Sequence, residues 1–252
     1  MVVTMNIVEI KKLNYSYKDN IVFENLSLNI KKNRITTILG PNGCGKSTLF
    51  KLIVENYKHI KINTKKINYI STNPFEQIVG KTVKDQLMFY LKQNNIKEST
   101  IKRRIKKIIH EFRIKDIIDK DPYELDNEQK QIILILSNLL NYPELLILDD
   151  ALCFVSTYNK YKIFKYLKRQ KISIIHFSNN VEDSIFGNQI VIINKKVVLN
   201  KPLKAALKEE KLLLDNNLNL PFIIELSLKL KYYNLLEDIY LSIDEMVNKI
   251  WN

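Results

Sequence analysis

The chain has 252 residues, 46% of which are apolar, and its formal net charge is +13. This length and composition favour a globular fold with a substantial core. No run of 18 or more apolar residues occurs and the N-terminus lacks a signal-peptide hydrophobic region, so we expect neither a membrane span nor export, but a cytoplasmic protein. The two cysteines, Cys44 and Cys153, lack metal-binding spacing, and we expect both to be small packing residues.

The positive charge raises the possibility of a nucleic-acid or anionic-membrane partner. Lysine, isoleucine and asparagine are used throughout the chain, however, including in loops without motifs, which indicates a general residue preference. The basic cluster at residues 102–107 is interleaved with isoleucines at helical spacing, which favours the solvated face of a helix. We therefore expect no nucleic-acid partner.

The N-terminal segment predicts a pair of strands, over residues 6–17 and 22–30, around the turn Lys18–Asn20. Tyr15 and Tyr17 share a face of the first strand because side chains alternate along a strand. Two interpretations of this pair stay open. One of the rings stacks on a nucleotide base, or the two form a tyrosine ladder on an exposed sheet.

Residues 34–50 combine a short β-branched strand, a glycine-containing turn and an amphipathic helix. Within them, Gly40–Ser47 match G-x-x-x-x-G-K-[ST], a loop whose backbone N–H groups cradle phosphate. The helix that begins at Lys46 adds the positive end of its dipole, and the Lys46 ammonium is a point charge for the β- and γ-phosphates. Ser47 offers a hydroxyl to Mg²⁺. The residues expected to bind nucleotide in this loop are Asn42, Gly43, Cys44, Gly45, Lys46, Ser47 and Thr48.

A strand over residues 66–70 runs into a loop, and a helical region follows over about residues 82–115. An apolar helix over about residues 130–141 comes next. Asp126, with Gln129 three residues later, predicts a capping pair at the N-terminus of that helix.

An apolar run, Leu145–Asp150, is typical of a buried parallel strand and ends in two carboxylates. Mg²⁺ at the phosphate loop is a natural partner for such carboxylates, with Asp149 holding the ion and Asp150 facing the γ-phosphate. The alternative is an acidic pair at an exposed helix N-terminus.

The remaining chain predicts a helix over residues 160–168, a buried strand over 172–177 and a strand pair over about 188–199. This alternation of strands and helices favours an α/β fold with a largely parallel sheet. The last forty residues carry helical spacing without a strand pattern. We expect a domain over residues 1–210 and a helical appendage over 211–252.

In this order, the motifs resemble the ATP-binding subunits of ABC transporters over nearly the whole chain, and most closely those of energy-coupling factor transporters. The resemblance implies a P-loop NTPase fold of the ABC type, with an antiparallel β subdomain and a helical subdomain over about residues 82–141. It assigns Tyr17 to adenine, Gly40–Thr48 to the Walker A loop and Leu145–Asp149 to Walker B. Asn73-Pro74 with Gln77, Thr82-Val83 and Phe89, and the tail with Leu218–Ile223, Leu226, Leu230 and Trp251, resemble this subfamily specifically.

The resemblance also implies ATP and Mg²⁺ as ligands, with Ser47 and Asp149 on the metal side. Its implied partners are a second ABC ATPase subunit, in a heterodimer, and integral membrane subunits. The implied location is the cytoplasmic face of the membrane. Residues 211–252 resemble the C-terminal dimerisation domain of the subfamily.

Several positions depart from the family pattern. Thr72 stands where the family has a glutamine that contacts Mg²⁺ and the attacking water. The catalytic glutamate is replaced by Asp150, which is one methylene shorter, and the switch histidine by Asn179, with His176 three residues earlier inside the preceding strand. Ser156 stands at the place of the D-loop aspartate. The resemblance thus assigns the catalytic positions to Thr72, Asp150 and Asn179.

The signature Leu-Ser-Gly-Gly-Gln is written here as Leu125–Gln129, with Asp126 and Glu128. These two carboxylates would bring negative charge toward a nucleotide, at a cost of about 4 kcal/mol for like charges ~4 Å apart, unless the side chains turn away. We expect Asp126 to cap its helix, and Ser156 and Asn179 to be able to cap the helices that follow them.

The leading hypothesis is an ATP-binding subunit of an energy-coupling factor importer for a vitamin or a transition-metal ion. The competing hypothesis is a regulatory subunit that binds ATP and hydrolyses it slowly or not at all. A third hypothesis, a nucleic-acid-binding ABC protein, is supported only by the positive net charge. The separation of Lys46 and Asp126 leaves no room for the coiled coil of DNA-repair relatives, and the chain has one phosphate loop, where ribosome-associated relatives have two.

Overall fold

The structure is a computed structural model that describes residues 5–71, 73–93 and 96–251, without the side chains of Pro74, Phe75, Gln93, Ile250 and Trp251. The chain divides into two compact units, one made of residues 1–63 with 175–252 and the other of residues 64–174. The strands are β1 Asn6–Tyr17, β2 Asn20–Lys31, β3 Ile35–Leu39, β4 Ile60–Ile62, β5 Ile67–Ile70, β6 Leu145–Asp149, β7 Ser173–Phe177, β8 Gln189–Asn194 and β9 Lys196–Pro202. The α-helices are α1 Lys46–Val54, α2 Val83–Gln93, α3 Glu98–Phe112, α4 Asn127–Leu139, α5 Thr157–Gln170, α6 Leu203–Leu207, α7 Glu210–Asp215, α8 Phe222–Tyr232 and α9 Ile243–Trp251.

In the first unit, β1 pairs antiparallel with β2 and with β4 in a three-stranded sheet. Tyr17 lies opposite Asn20, so Lys18 and Asp19 form a two-residue turn, and Lys18 has a φ of 50°. A positive φ at a hairpin turn matches the twist of the flanking strands. The predicted strand pair is confirmed, and its turn is one residue shorter than predicted because Asn20 already pairs with Tyr17 as the first residue of β2.

A second set of strands in the first unit contributes buried residues to its hydrophobic core. All five residues of β3 are buried; β3 runs parallel to β8, which pairs antiparallel with β9. Leu39 of β3 and Ile190 of β8 belong to one buried cluster with Leu213, Leu218 and Ile224 of the C-terminal segment. The C-terminal helices therefore bury their apolar faces against this sheet, and the predicted domain boundary at residue 210 stays a prediction.

In the second unit, β5 runs parallel to β6, with Ile67 opposite Leu145 and Ile70 opposite Leu148. The predicted α/β class is confirmed, and parallel strands of this kind together with the antiparallel pairs make a mixed sheet, where a largely parallel one was predicted. α4 is buried from Gln131 to Leu139, because its apolar residues surround the helix on every side.

The predicted helical region over residues 82–115 consists of α2 and α3 and ends in a short 3₁₀ segment, Lys115–Ile117. On α3, isoleucines 101, 105 and 108 are buried while residues 102, 103, 106 and 107 are exposed. Lys102 pairs with Glu98 one turn earlier, at 2.8 Å. The interpretation of this basic cluster as a solvated helix face is confirmed. In the described part of the chain, no helix has both the length and the apolar character needed to cross a bilayer.

The segment that follows α8 is held by a carboxylate between two lysines. Asp238 Oδ1 lies 2.7 Å from Lys208 Nζ, and its Oδ2 lies 3.4 Å from Lys204 Nζ. The Lys208 ammonium, with the Ile239 N–H and Lys204, lowers the pKa of Asp238 from 3.8 to about 2, against a smaller opposing effect of burial. The folded protein therefore favours the ionised carboxylate.

An acid-dependent loss of stability follows for this ion pair. The pKa of Asp238 is lower in the folded than in the unfolded chain, so the stabilisation is present above about pH 4 and is lost as the pH falls through about 2. We expect Asp238→Asn to lower the free energy of unfolding near pH 6 by less than about 1 kcal/mol, because the side chains of Asp238 and Lys208 are both partly exposed to solvent. Urea unfolding at several pH values should show the gap between variant and wild type closing in acid. A gap that stays constant, or an equal effect from Asp19→Asn in the hairpin turn, would contradict this assignment.

Candidate functional site

The phosphate-loop sequence lies between β3 and α1, in the first unit. Two of its glycines have a left-handed backbone, Gly43 with a φ of 78° and Gly45 with a φ of 102°. Gly45 is the N-cap of α1, and Leu49 N donates to Gly45 O at 2.8 Å. A residue with a Cβ atom strongly disfavours a positive φ of this size, so the turn depends on glycine at these two positions.

Space around two of the loop glycines is also closed to a side chain. A Cβ on Gly40 would lie 2.4 Å from Ile193 O and 2.6 Å from Cys44 Sγ. A Cβ on Gly45 would lie 2.7 Å from Val22 Cγ1, whereas one on Gly43 would meet nothing within 4 Å. The loop is therefore packed against the protein on its inner side and open at Gly43.

Lys46 is buried and its ammonium bonds to the loop itself. Nζ donates to Gly40 O at 2.7 Å and to Pro41 O at 3.1 Å, and it lies 3.8 Å from Cys44 Sγ. The first turn of α1 carries no acidic residue. A positive helix end, a fixed ammonium and glycines with exposed backbone are the features that fit a phosphate group.

The other predicted loop residues surround the helix start. Ser47 and Asn42 are exposed and Thr48 is half-buried. Cys44 is 6% exposed, and burial raises the pKa of its thiol, while nearby Lys46 lowers it to a lesser extent. The prediction that Cys44 is a packing residue is confirmed.

Cys153 differs from its prediction. It is exposed, since it lies in the turn after β6 and not in a strand or helix. The Gln131 amide nitrogen lies 3.7 Å from its sulfur.

Tyr15 and Tyr17 do share a face of β1. Their ring centroids lie 5.1 Å apart, edge to face, and the ring of Tyr57 is 5.6 Å from that of Tyr15. The tyrosines thus contact one another as a ladder would. Tyr17 is still 47% exposed, so nearly half of the residue's surface remains accessible.

His176 and Asn179, the two residues considered for the switch position, lie in β7 and in the loop after it. His176 is fully buried within β7, so it does not project from the strand end. Asn179 is exposed, but the residue that caps the next short helix is Asn180, whose side chain accepts from Glu182 N at 2.9 Å. The capping role predicted for Asn179 is wrong by one residue. Ser178 anchors the loop by donating to Asp183 Oδ2 at 2.8 Å.

The acidic pair lies in the second unit, at the carboxyl end of β6. Asp149 is the last residue of the strand and is 3% exposed. Asp150 follows with a φ of 48°, where the chain turns out of the strand. α5 begins only at Thr157, so the alternative of an acidic pair at a helix N-terminus is wrong. A buried carboxylate at a strand end fits a magnesium ligand.

The signature-like segment caps its own helix. Asp126 Oδ1 accepts from Gln129 N at 2.7 Å, and the Gln129 side chain accepts from Asp126 N, which completes the predicted capping box. Asp126 therefore directs its carboxylate to the start of α4. This contact satisfies one of the open N–H groups of the helix.

Glu128 also turns its carboxylate onto its own chain. Oε1 accepts from Ser156 N at 2.8 Å and from Asn159 Nδ2 at 2.9 Å. The bond from Asn159, followed by that from Ser156, lowers the pKa of Glu128. Ser156 stands at the N-cap of α5, but its side chain makes no capping bond. Of the predicted catalytic positions, Thr72 lies outside the described residues.

Sequence reasoning missed Gln131 and Asn159. Gln131 is fully buried and its Oε1 accepts from Phe154 N at 3.0 Å. A polar residue that opens an uninterrupted run of isoleucine and leucine is a signal of such a bond, because buried polar groups need partners. No comparable signal marks Asn159 in its polar surroundings.

Comparison with known proteins gives consistent matches. A family model described as ABC transporter matches residues 23–153. The energy-coupling factor transporter ATP-binding protein EcfA of Pediococcus pentosaceus is 29% identical, with 86% of each chain covered. EcfA1 of Fusobacterium nucleatum is 27% identical, over 97% of this chain and 98% of the relative.

Solved structures show the same fold. The cbiO1 protein of Clostridium perfringens, described as part of the ABC transporter complex cbiONQ, has a TM-score of 0.73 at 22% identity and covers 84% of this chain and 94% of its own. A nucleotide-free ATP-binding cassette from an ABC transporter has a TM-score of 0.66 at 18% identity, over 83% of this chain and 98% of its own.

Proposed function

Because the chain belongs to the ABC transporter family, and within it to the ATPases of the energy-coupling factor type, we propose that it powers the uptake of a vitamin or a transition-metal ion as the ATP-binding subunit of an importer. ABC ATPases couple ATP hydrolysis to transport and bind ATP with Mg²⁺. The observation that carries the proposal is the phosphate loop, in which Lys46 and two left-handed glycines are already in place.

The loop binds the phosphates of ATP in this proposal. The N–H groups of Gly43 and Gly45 and the positive end of α1 would face the phosphate oxygens, with Asn42 and Thr48 as further donors. The Cys44 N–H donates to Pro41 O at 3.2 Å and would exchange this carbonyl for a phosphate oxygen. Lys46 exchanges the carbonyls of Gly40 and Pro41 for the β- and γ-phosphates. Tyr17 stacks its accessible ring on adenine.

The family pattern assigns the magnesium roles to the Ser47 hydroxyl, in the first unit, and to the Asp149 carboxylate, in the second, and the ion would neutralise phosphate charge. Asp150 orients the attacking water. The family pattern assigns the remaining polar roles to Asn179 and Thr72. The left-handed backbone of Asp150 supports an aspartate there, since short polar side chains tolerate this conformation better than a glutamate does.

A second ATPase subunit completes the assembly, together with integral membrane subunits at the cytoplasmic face of the membrane. Residues 211–252 would form the dimerisation appendage. Large apolar side chains are exposed on this segment, with Phe222 at 72%, Leu235 at 67% and Ile243 at 60%. Exposure of this kind supports burial against another subunit. A heterodimer is favoured because two copies of this chain would both carry the altered signature.

A second candidate function is a regulatory subunit that binds ATP but hydrolyses it slowly or not at all. The contacts of Asp126 and Glu128 favour it, because both carboxylates bond to their own chain. A backbone N–H group at the start of α4 is thereby already bonded to Asp126, so the helix start offers fewer hydrogen-bond donors to a phosphate bound by an opposing subunit.

Turnover of the assembled complex separates the two candidates. We expect Asp150→Asn, in this chain alone, to lower phosphate release at least about 100-fold, because a carboxylate that orients water contributes about 10²–10⁴-fold. Assembly and ATP binding should be unchanged. Asp119→Asn, on the exposed surface before the signature-like segment, is the matched control and should retain full turnover.

If Asp150→Asn releases phosphate at the wild-type rate, this chain's site does not hydrolyse ATP and the regulatory role is supported. If the wild-type complex itself releases no phosphate, the importer proposal fails for this chain.

A further inference from the structure

Helix α5 begins without an anion of its own. Its first turn contains no acidic residue, and Ser156 at the N-cap makes no side-chain capping bond. A helix start leaves N–H groups without intrahelical partners and carries partial positive charge. A 14-residue helix of this kind therefore needs an acceptor from elsewhere.

Glu128 supplies that acceptor from α4. Its Oε1 receives the N–H of Ser156 and the side-chain amide of Asn159, which lies in the first turn of α5. These two bonds lower the pKa of Glu128, so the carboxylate is ionised at the positive end of α5. One side chain of α4 thus satisfies the backbone N–H of the N-cap residue of α5, as the glutamate of a capping box does within its own helix.

A second side chain, one turn further along α4, holds the same turn. Gln131 Oε1 accepts from Phe154 N at 3.0 Å. Glu128 and Gln131 together bind two alternate backbone N–H groups of the segment between β6 and α5. We name residues 150–156 the β6–α5 turn.

The β6–α5 turn begins at Asp150. Cys153 N donates to Asp150 O at 3.3 Å, and Val155 N donates to Leu152 O at 3.1 Å. The position of Asp150 is thereby linked to that of the residues that α4 holds.

We propose that Glu128 is a positioning residue, which caps α5 from α4 and thereby fixes the β6–α5 turn and the carboxylate of Asp150 at its start. The effect of this contact on turnover rests on the proposed role of Asp150 in ATP hydrolysis. The contact between Glu128 and the β6–α5 turn does not depend on that role, because it is observed in the structure.

Hydrogen exchange of the isolated chain tests the contact directly, because Glu128 accepts from Ser156 N, whereas Gln131 accepts from Phe154 N. We expect Glu128→Ala to speed exchange of the Ser156 amide at least tenfold and that of the Phe154 amide less, because Gln131 still binds it. Glu128→Gln keeps the acceptor oxygen but loses the charge, so its effect should be smaller. Glu124→Gln, on the exposed surface four residues earlier, is the matched control and should change neither amide.

The outcomes decide the proposal. Unchanged exchange at Ser156 in Glu128→Ala would overturn it. So would a uniform rise across the amides of α4 and β6, because a merely structural role predicts a global loss of protection. Faster exchange confined to residues 150–159 supports it.

Turnover of the complex then tests the positioning role. We expect Glu128→Ala to lower kcat about tenfold while the Kd for ATP stays within twofold, and Glu128→Gln to restore most of the loss. If exchange responds but kcat does not, Glu128 does not position Asp150. If the wild-type complex is inactive, the proposed function fails, while the exchange result still decides whether Glu128 holds the turn.

Discussion

Replacement of Lys46 by alanine is expected to weaken ATP binding at least 100-fold, or about 2.7 kcal/mol. The change removes the Lys46 ammonium, which the loop holds in place through the carbonyls of Gly40 and Pro41. A charge-assisted hydrogen bond from Lys46 Nζ to a β- or γ-phosphate oxygen is worth about 1.5–3 kcal/mol, so the loss of one such bond already accounts for this magnitude. Isothermal titration of the purified chain with ATP and MgCl₂ measures it.

Lys51→Ala is the matched control for this prediction. Lys51 lies on the same helix, but its side chain is exposed and its nearest carboxylate, Glu55, is 3.9 Å away. We expect it to bind ATP like the wild type. Binding by Lys46→Ala within about threefold of the wild type would show that the loop is not the phosphate site.

Gly45→Ala is expected to destabilise the fold by about 2–5 kcal/mol. A left-handed φ costs an alanine about 1–2 kcal/mol, and the new methyl group would lie 2.7 Å from Val22 Cγ1 and 2.8 Å from Phe23 Cζ. Overpacking of this kind costs about 1–3 kcal/mol more. Urea unfolding of the variant measures the sum.

Gly43→Ala separates the two contributions. Gly43 also has a positive φ, of 78°, but a Cβ there meets nothing within 4 Å. We expect it to cost only the backbone strain, about 1–2 kcal/mol. Equal losses for the two variants would mean that the contact of Gly45 with Val22 and Phe23 carries no weight.

The features that sequence predicted well are local in the chain. The phosphate loop is set by glycines within a few residues, and the capping box joins Asp126 to Gln129 three positions away. The hairpin turn at Lys18 is similarly short. Each depends on bonds between near neighbours, so the residue types alone indicate it.

The features that sequence missed join distant residues or depend on single-residue placement. Glu128 and Ser156 are 28 positions apart, and the family pattern gave only the expectation that Glu128 would repel a nucleotide unless its side chain turned away, without naming a partner for it. The cap of the short 3₁₀ helix Val181–Phe186 falls on Asn180, and the residue preference for caps does not distinguish between two adjacent asparagines. Cys153 is exposed because the β6–α5 turn reaches the surface, which periodicity does not predict.

The division of the first unit between two stretches of chain has a consequence for the order of folding during synthesis. Leu39 shares a buried cluster with Leu213 and Leu218, which leave the ribosome only after residues 64–174 have been made. The second unit is contiguous, so it can close its core while the first still lacks half of its own. Until the C-terminal helices emerge, the buried face of β3 has no complete cover, and a nascent chain stalled before residue 203 is expected to be the form most dependent on chaperones.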